Sequence, residues 1–346
     1  MKIAIITDQH FGARKNSKLF HDYFLKFYND VFFPTLEAEG IDTIVDMGDT
    51  FDSRKGIDFS ALSWAKNNYY DKLKDYTIHT IVGNHTAYYK NTNQVNSIDL
   101  LLREYENVKI YSEVTEIKLG NLGVLLIPWI NPENEEKTFK ALKKTKCDVV
   151  MGHLDLNGFR ATQGHIQEHG TDSTPFERFK LVYSGHFHVR SNERNIYYLG
   201  NPYEMFWNDC DDTRGFHIFD TETLEHTPID NPYRIFHKIF YEDTNYQTFD
   251  TRKYENKIVK IIVKDKNDNK KFEKFVDKLY NSNVAELKIV ENFEFNGWYS
   301  KDDDVFESED TMSILNKYVE EADITLDKSL VQKMLQEVYQ EACELI

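Results

Sequence analysis

The chain has 346 residues, with 40% hydrophobic and 14% aromatic residues and a formal net charge of −16 at pH 7. This composition excludes a disordered chain, and the length predicts about two domains. No apolar run approaches the roughly 18 residues of a membrane span, and the run Ile3–Ile6 is too short for a signal peptide. The three cysteines have neither disulfide-framework nor metal spacing, which predicts a reducing cytoplasm.

Charge is unevenly distributed along the chain. Residues 301–346 hold 13 acidic and 4 basic residues, whereas residues 252–278 hold 10 basic and 5 acidic residues. The acidic end would repel phosphate or contact a basic partner, and the basic stretch could touch a nucleic-acid backbone. For each segment, a merely solvated surface is an equally good interpretation.

Strands and helices alternate from residue 1 to about residue 155. A strand at 2–7 precedes a helical segment at 18–39, which Pro34 should kink or split. Asp58 or Ser60 can cap a helix at 61–73, and Asn96 can cap one at 98–105. Further strands at 108–111, 115–118 and 123–127 and a helix at 135–144 follow. After residue 180 short loops separate the strands, so the pattern predicts an α/β fold of two packed sheets with helices outside.

The pattern changes near residue 230. Strands at 233–240, 258–263 and 285–290 and a helix at 269–280 predict a compact β-β-α-β unit. The polar run 300–310 is typical of a linker. Two amphipathic helices, 311–321 and 329–345, then predict a tail that docks onto this chain or onto a partner.

Short polar clusters follow five of the predicted strands. Side chains at the carboxyl ends of strands build the sites of open α/β sheets. Carboxylate, amide and imidazole ligands suit divalent ions such as Mn²⁺, Mg²⁺, Fe²⁺ or Zn²⁺, and two such ions can clamp the oxygens of a phosphate ester. The clusters are Asp8-Gln9-His10, Gly48-Asp49-Thr50-Phe51-Asp52, Gly83-Asn84-His85, Gly152-His153 and Gly185-His186-Phe187-His188.

Seven residues of these clusters are candidate metal ligands. Asp8 and His10 are two positions apart and can point to the same side of a strand end. Gly48 allows a tight turn before Asp49. A single carboxylate can bridge two ions, and Asp49 is the best candidate for that role. Asn84 offers a neutral oxygen. The imidazole candidates are His153, His186 and His188.

Other residues of the clusters are candidates for catalysis and substrate binding. His85 could donate a proton to the leaving oxygen, and Asp52 could accept a hydrogen bond from it, although Asp52 could also be a helix N-cap. Arg54 would contact phosphate or pair with a carboxylate. Tyr88 and Lys90 could stack on a base and hold a phosphate, or simply pack. The glycine-containing segment 153–171 predicts a binding loop.

The order D-x-H, G-D-x-x-D, G-N-H, G-H, G-H-x-H resembles that of the calcineurin-like metallophosphoesterases over roughly residues 1–220. Within them, the layout is similar to the SbcD-type nuclease subunits of DNA repair and recombination, and most of all to the group found in T-even-like bacteriophages. The stretches that carry this likeness include Ile81–His85, Leu126–Trp129, Ser184–His188 and Arg214–Phe216.

The resemblance implies a two-sheet sandwich flanked by helices over residues 1–229 and a small α+β capping domain at 230–299 that helps to place DNA. A linker at 300–310 and a helical tail at 311–346 that binds an SMC-like coiled-coil ATPase would follow. It also implies homodimerisation through helices near 59–75 and 91–104. Implied ligands are Asp8, His10, Asp49 and His188 for one ion and Asp49, Asn84, His153 and His186 for the other. Mn²⁺ is the implied metal, with Mg²⁺ as the alternative.

The resemblance thus implies a DNA exonuclease and endonuclease subunit of an ATPase complex, in the cytoplasm of a host cell if phage-encoded. One departure is Thr86, which stands where that family has an acid after G-N-H. Two alternatives stay open. One is a phosphoesterase for nucleotides or phosphoproteins, which needs no helical tail. The other is a weakly catalytic assembly subunit, which Thr86 would favour.

Overall fold

The computed structural model describes residues 1–162, 165–246, 248–264 and 268–291, together with seven later residues. The chain forms two compact units, Met1–Asn292 and Phe293–Ile346. The predicted linker at 300–310 and most of the predicted helical tail at 311–346 lie outside the described residues. No helix among the described residues has the length and apolar character needed to cross a membrane. The seven described residues of the second unit are all helical: Val319, Lys328, Leu330, Val331, Gln332, Met334 and Leu335.

Most strands of the first unit lie where apolar runs predict them. Their bounds are β1 (Lys2–Ile6), β2 (Thr43–Asp46), β3 (Thr77–Ile81), β4 (Ala87–Tyr89), β5 (Thr92–Asn96), β6 (Val108–Tyr111), β7 (Thr115–Leu119), β8 (Leu122–Ile127), β9 (Val149–His153), β10 (Arg160–Thr162), β11 (His165–Ile166), β12 (Leu181–Gly185), β13 (Ser191–Glu193), β14 (Ile196–Tyr198), β15 (Gly215–Asp220), β16 (His226–Asp230), β17 (Phe236–Phe240), β18 (Ile258–Val263) and β19 (Glu286–Glu291).

Two six-stranded sheets form the body of this unit. The first has the order β16-β15-β1-β2-β3-β6, and its last four strands are parallel. The second has the order β13-β14-β12-β9-β8-β7, with a parallel centre formed by β14, β12, β9 and β8. Parallel strands present their carboxyl ends at one edge of a sheet, so each sheet gathers its polar strand ends at one side.

The core between the two sheets follows the two-residue period of the strands. Along β1, Ile3 and Ile5 belong to the apolar cluster shared with the second sheet, whereas Ala4 and Ile6 belong to the cluster on the helical side. Val149 and Met151 of β9 are buried in the same shared cluster as Ile3 and Ile5. The predicted fold class, two packed sheets with helices outside, is confirmed.

The helical segment 18–39 is split as the proline predicts. An α-helix ends at Phe27, a π-helical turn follows, and Pro34 lies in the first turn of the next helix. Pro34 has no N–H for the carbonyl of Asp30, so a regular helix cannot run through it. Within residues 1–291, the described α-helices are Ala13–Asn16 (a single turn), Lys18–Phe27, Phe33–Glu39, Phe59–Asn68, Ser97–Leu101, Glu135–Lys144 and Asn269–Tyr280.

Two predicted helices are capped as expected but end early. Asp58 caps Phe59–Asn68 by accepting the Ser60 N–H at 2.7 Å, and Asn96 caps Ser97–Leu101 by accepting the Asp99 N–H at 2.8 Å. The predicted end at 105 is therefore wrong, whereas a 3₁₀ turn, Tyr70–Leu73, follows the first helix and ends at the predicted residue 73. The chain leaves the first helix at Tyr69, whose fully buried ring packs among core aromatics. Tertiary packing outweighs helix propensity there.

A third sheet, β17-β18-β19, is parallel and has its own core. The apolar face of helix Asn269–Tyr280 covers it, with Phe272, Phe275 and Leu279 against Val259 and Ile261. These elements match the predicted β-β-α-β order. The domain boundaries at 229 and 299 stay predictions.

A buried carboxylate joins this third sheet to the body of the unit. Glu204 is fully buried and accepts the backbone N–H groups of Ile235 at 2.7 Å and Phe236 at 3.0 Å. Burial raises the pKa of Glu204, and Arg234, 3.4 Å away, partly offsets this. The two N–H groups stand at the start of β17, so one side chain fixes where the third sheet begins.

Replacing Glu204 should weaken this junction. Glu204→Ala leaves two buried N–H donors without their acceptor, at a cost of about 2–4 kcal/mol, so the apparent Tm should fall by roughly 5–10 °C. Glu204→Gln is the matched control, because its amide oxygen still accepts, and it should lose less. Differential scanning calorimetry of the three chains measures this. An apparent Tm of the alanine variant equal to that of the wild type would contradict the assignment.

Candidate metal centre

The strand ends of both sheets meet at one place. Asp8 follows β1, Asp49 follows β2 and Asn84 follows β3 in the first sheet, while His153 ends β9 and His186 follows β12 in the second. In the parallel register of the second sheet, Gly185 lies beside His153. The structure therefore brings together all seven predicted ligands, although they come from five separate segments spread over 180 residues.

Asp8, His10 and His188 form one group of converging donor atoms. The Nε2 atoms of His10 and His188 lie 3.2 Å apart, and Oδ1 of Asp8 lies 3.9 Å and 4.0 Å from them. Two imidazole nitrogens facing each other at this distance cannot both carry a proton. A divalent cation is the kind of acceptor that such a set of oxygen and nitrogen donors fits.

Asp49, His153 and His186 form a second group, which Asn84 completes. Oδ2 of Asp49 lies 3.2 Å from Nε2 of His153. Oδ1 of Asn84 lies 2.9 Å from the same nitrogen and 3.0 Å from Nδ1 of His186. Asp49 also lies 4.0 Å from His10 of the first group. Its carboxylate is thus between the two groups, as a bridging ligand would be.

Hydrogen bonds to the main chain orient these side chains. The Nδ1–H of His153 donates to the Met47 carbonyl at 2.9 Å, which directs Nε2 at Oδ1 of Asn84, where either a proton or a metal ion can lie between the two atoms. The backbone N–H of His186 donates to the Asp8 carboxylate at 3.0 Å, and the Thr7 hydroxyl donates to it at 2.7 Å. The backbone N–H of His85 donates to Asp49 at 2.8 Å. Each carboxylate therefore keeps a fixed direction.

Four of the seven candidate ligands have a left-handed backbone. The φ angles are 52° for Asp8, 44° for His10, 52° for Asp49 and 84° for His186. Side-chain residues rarely adopt this conformation, although Asp and His tolerate it better than most. Such strain is typical of functional sites, where the surrounding structure holds it. The bends turn side chains from neighbouring strands towards a common point.

Two glycines are required by close approach. A Cβ at Gly83 would lie 2.1 Å from Oδ1 of Asp49, and one at Gly48 would lie 2.7 Å from Nδ1 of His153. Gly48 also has a φ of +101°, which favours glycine. The predicted tight turn at Gly48 is present. The glycines before Asp49 and Asn84 therefore leave room for the ligands of the neighbouring strands.

The charges of the site compensate one another. Burial lowers the pKa of His10, but the neighbouring carboxylates, Asp52 foremost, outweigh it and raise this pKa to about 8. At His153, burial again lowers the pKa, but the Asp49 carboxylate outweighs it, and the pKa rises to about 9. Burial and the charge of His153 lower the pKa of His186 to about 3. Although burial alone would raise it, the imidazoles hold the pKa of Asp49 well below its usual value.

The predicted contact between the Asp52 carboxylate and His85 is not formed. Nδ1–H of His85 donates instead to the main-chain carbonyl of Asp52 at 2.6 Å. The Asp52 carboxylate lies 3.1 Å from Nδ1 of His10. The turn after β2 presents the carbonyl and the carboxylate of Asp52 in different directions, so one residue orients both histidines. Asp52 is not a cap of the helix that follows, because Asp58 is the N-cap of Phe59–Asn68.

Thr86, the departure from the family pattern, is fully buried. Its hydroxyl accepts the Gly83 N–H at 2.9 Å and donates to the Gly83 carbonyl at 3.1 Å. The side chain closes the turn that carries Asn84 and His85. Thr86 therefore stabilises the turn beneath the site.

The predicted substrate contacts surround this turn. The Arg54 guanidinium lies over the Trp129 ring, 5.2 Å from its centroid. Tyr88 and Lys90 belong to the exposed β4–β5 hairpin that directly follows His85, and this hairpin was not predicted. Tyr88 is 44% exposed, so packing against the protein covers only part of its side chain.

Sequence reasoning missed two charged residues that support the site. Asp46 is buried beneath it and accepts from Gln9 at 3.0 Å and from the Thr50 hydroxyl at 2.8 Å, and burial raises its pKa to about 7. Arg214 is 1% exposed and donates to the carbonyl of His188 and to the side chain of Asn201. Asp46 ends a strand and could have been suspected. Arg214 stands in a stretch that carries the family resemblance, but no local pattern indicates that its side chain supports the site.

The comparisons with known proteins agree with this geometry. The family model described as calcineurin-like phosphoesterase matches residues 1–190. The chain therefore belongs to the calcineurin-like phosphoesterase family, and it is a metal-dependent phosphoesterase. The resemblance and the enzyme class expected from the sequence are confirmed.

A particular relative covers the whole chain. The chain is 30% identical over 349 residues to exonuclease subunit 1 of Enterobacteria phage T4, covering 99% of this chain and all of the relative. Solved structures with some likeness include a novel archaeal phosphodiesterase, at 14% identity with a TM-score of 0.35 over 67% of this chain and all of that one. Another is the calcineurin-like phosphoesterase YfkN from Bacillus subtilis, at 14% identity with a TM-score of 0.32 over 66% of this chain and 88% of that one.

Binding of divalent ions should release protons. With pKa values of about 8 for His10 and about 9 for His153, both imidazoles carry a proton at pH 7 that a metal must displace. We expect about two protons per chain at pH 7, and fewer as the pH rises through these values. Calorimetric titration with Mn²⁺ in buffers of different ionisation enthalpy, between pH 6.5 and 9, measures this number.

The matched variant is His153→Gln, which should release about one proton fewer while leaving His10 in place. Proton release that stayed constant over this pH range would contradict the raised pKa values.

Proposed function

We propose that this chain is a Mn²⁺-dependent DNA nuclease, with exonuclease and endonuclease activity. It would be the nuclease subunit of an ATPase complex that processes DNA ends in recombination, repair and replication. The observation that carries the proposal is the complete two-metal donor set at the meeting strand ends. The relative named as an exonuclease subunit, matched over its full length, supports DNA as the substrate.

The donor atoms suggest how two ions would be shared. Asp8, His10, Asp49 and His188 would hold one ion, and Asp49, Asn84, His153 and His186 the other. The place of Asp49, 3.2 Å from His153 and 4.0 Å from His10, supports its bridging role. Two Mn²⁺ ions, or Mg²⁺ as the alternative, would supply the Lewis acidity and charge neutralisation that phosphodiester hydrolysis needs.

His85 would be the residue that assists the leaving oxygen. Its Nδ1–H is held by the Asp52 carbonyl, so only Nε2 exchanges a proton during the reaction. The His85 ring stands at 82° to the His10 ring with centroids 4.8 Å apart, beside the first group of donors. A proton on Nε2 could pass to the departing oxygen or bind a phosphate oxygen. Asp52 would act through position, by holding His85 with its carbonyl and His10 with its carboxylate.

These two roles give different mutant behaviour. Asp52→Asn should weaken metal binding about tenfold or more through His10, and excess Mn²⁺ should restore most of the turnover. His85→Gln should lower kcat by about 10²-fold or more, and metal should not restore it. Turnover measured against Mn²⁺ concentration separates the two. An Asp52→Asn enzyme with wild-type metal dependence would remove Asp52 from this role.

Substrate contacts would come from the turn and hairpin around His85. Arg54 and Lys90 would hold phosphates, and the half-exposed Tyr88 ring would contact a base. Affinity would then arise from the DNA backbone and fall with salt. The third sheet and its helix, in the proposed capping domain at 230–299, carry the basic stretch that would face duplex DNA.

Partner contacts are proposed from exposed apolar residues. Phe59 is 88% exposed and Leu100 is 58% exposed, in the two regions, 59–75 and 91–104, that would form a homodimer. The tail 311–346 would bind an SMC-like coiled-coil ATPase, and Leu330 and Met334, each more than half exposed, are available for it. The complex would work in the cytoplasm, that of the host if the chain is phage-encoded.

The decisive test is cleavage by the purified chain. We expect degradation of end-labelled duplex and circular single-stranded DNA in Mn²⁺, none in EDTA, and none with Asp49→Ala. Hydrolysis of bis(p-nitrophenyl) phosphate without DNA cleavage would favour a nucleotide or phosphoprotein phosphoesterase. Loss of both activities in the wild-type chain would favour the weakly catalytic assembly subunit.

A further inference from the structure

An exposed phenylalanine stands beside the metal centre and has no part in the roles described so far. The side chain of Phe206 is 42% exposed. Its ring is nearly parallel to that of the candidate ligand His188, with 16° between the planes and 6.4 Å between the centroids. A partly exposed aromatic ring therefore lies beside the first group of donors.

The position of Phe206 is fixed by one partner of a buried ion pair, and the other partner holds the segment of His188. The backbone N–H groups of Met205 and Phe206 donate to Oδ2 of Asp209 at 2.7 Å and 2.9 Å. Asp209 is buried and lies 3.2 Å from the Arg214 guanidinium, which also donates to the His188 carbonyl. One buried ion pair thus sets the turn that carries Phe206 and the segment that carries His188.

The neighbours of Phe206 in the same turn point the other way. Met205 is fully buried. The Trp207 ring packs 4.8 Å from that of Phe236, under the ammonium group of Lys260 at 4.1 Å. The turn is therefore anchored on both sides, to the centre and to the third sheet, while Phe206, like Asn208, is exposed. Its exposure follows from a rigid backbone rather than from a loose loop.

We propose that Phe206 is a stacking platform for a nucleobase of the bound strand, next to the phosphodiester at the metal centre. This inference rests on the proposed nuclease function and adds a substrate-positioning residue to it. Every base has a π face, so stacking on phenylalanine is sequence-tolerant, as a nuclease of DNA ends requires. With bases about 3.4 Å apart along a strand, a ring 6.4 Å from a ligand imidazole is within about two nucleotides of the scissile phosphate.

The test is a double-mutant cycle between enzyme and substrate. Wild type and Phe206→Ala are compared on short single strands that carry either a normal nucleotide or an abasic one at each position flanking the cut. On normal DNA, Phe206→Ala should lower kcat/KM by roughly 5- to 100-fold. At one flanking position the abasic residue should reduce wild-type kcat/KM by a similar factor and have little effect on the variant.

Three controls separate stacking from structure. Phe206→Trp should restore cleavage of normal DNA, and Phe206→Leu should restore it much less. Mn²⁺ affinity should be unchanged in Phe206→Ala, because Asp209 and Arg214 hold the backbone of the turn. Phe240→Ala removes a phenylalanine of similar exposure, 40%, from the third sheet and should leave the abasic effect intact.

Each outcome decides the matter. Coupling at one flanking position supports the platform. Independent effects at every position, or full rescue by leucine, overturn it while leaving the nuclease function in place. A wild-type chain that cleaves no DNA overturns the nuclease function, and the platform with it.

Discussion

The rest of the structure depends on the contact between the buried Asp8 carboxylate and the backbone N–H of His186, 3.0 Å apart. Asp8 follows β1 of one sheet and His186 follows β12, a central strand of the other, so this contact joins the two polar edges across the sandwich. Both residues have left-handed backbones. The strain is tolerated because close packing between the sheets leaves the chain no other path.

Charge balance makes such a concentration of polar groups possible in a buried place. Isolated charges here would be very costly, but each carboxylate faces imidazoles and backbone N–H groups. Protons on His10 and His153 balance the carboxylates, and divalent ions can take over that role with more charge in less space. The donor atoms that balance one another's charge are thus the ones that would hold the ions.

Behind the site, a frame of buried ion pairs connects it to the third sheet. Arg214 contacts the His188 carbonyl and pairs with Asp209, and Glu204 holds the start of β17. The segment between Glu204 and Asp209 therefore touches both the proposed catalytic region and the proposed capping domain. The Trp207 ring packs 4.8 Å from that of Phe236, so the turn of Phe206 is in direct contact with the third sheet.

The sequence by itself determined the strands, the polar clusters at their ends and the two-sheet architecture, because two-residue periodicity and strand termination are local properties. It also identified Asn84 and His153 as candidates, although 69 residues separate them. Only the tertiary structure decided which atoms meet: the Asp52 carboxylate turns to His10, its carbonyl to His85, and Arg214 and Phe206 join the site. These contacts depend on the register between strands and on packing between sheets, which no local pattern encodes.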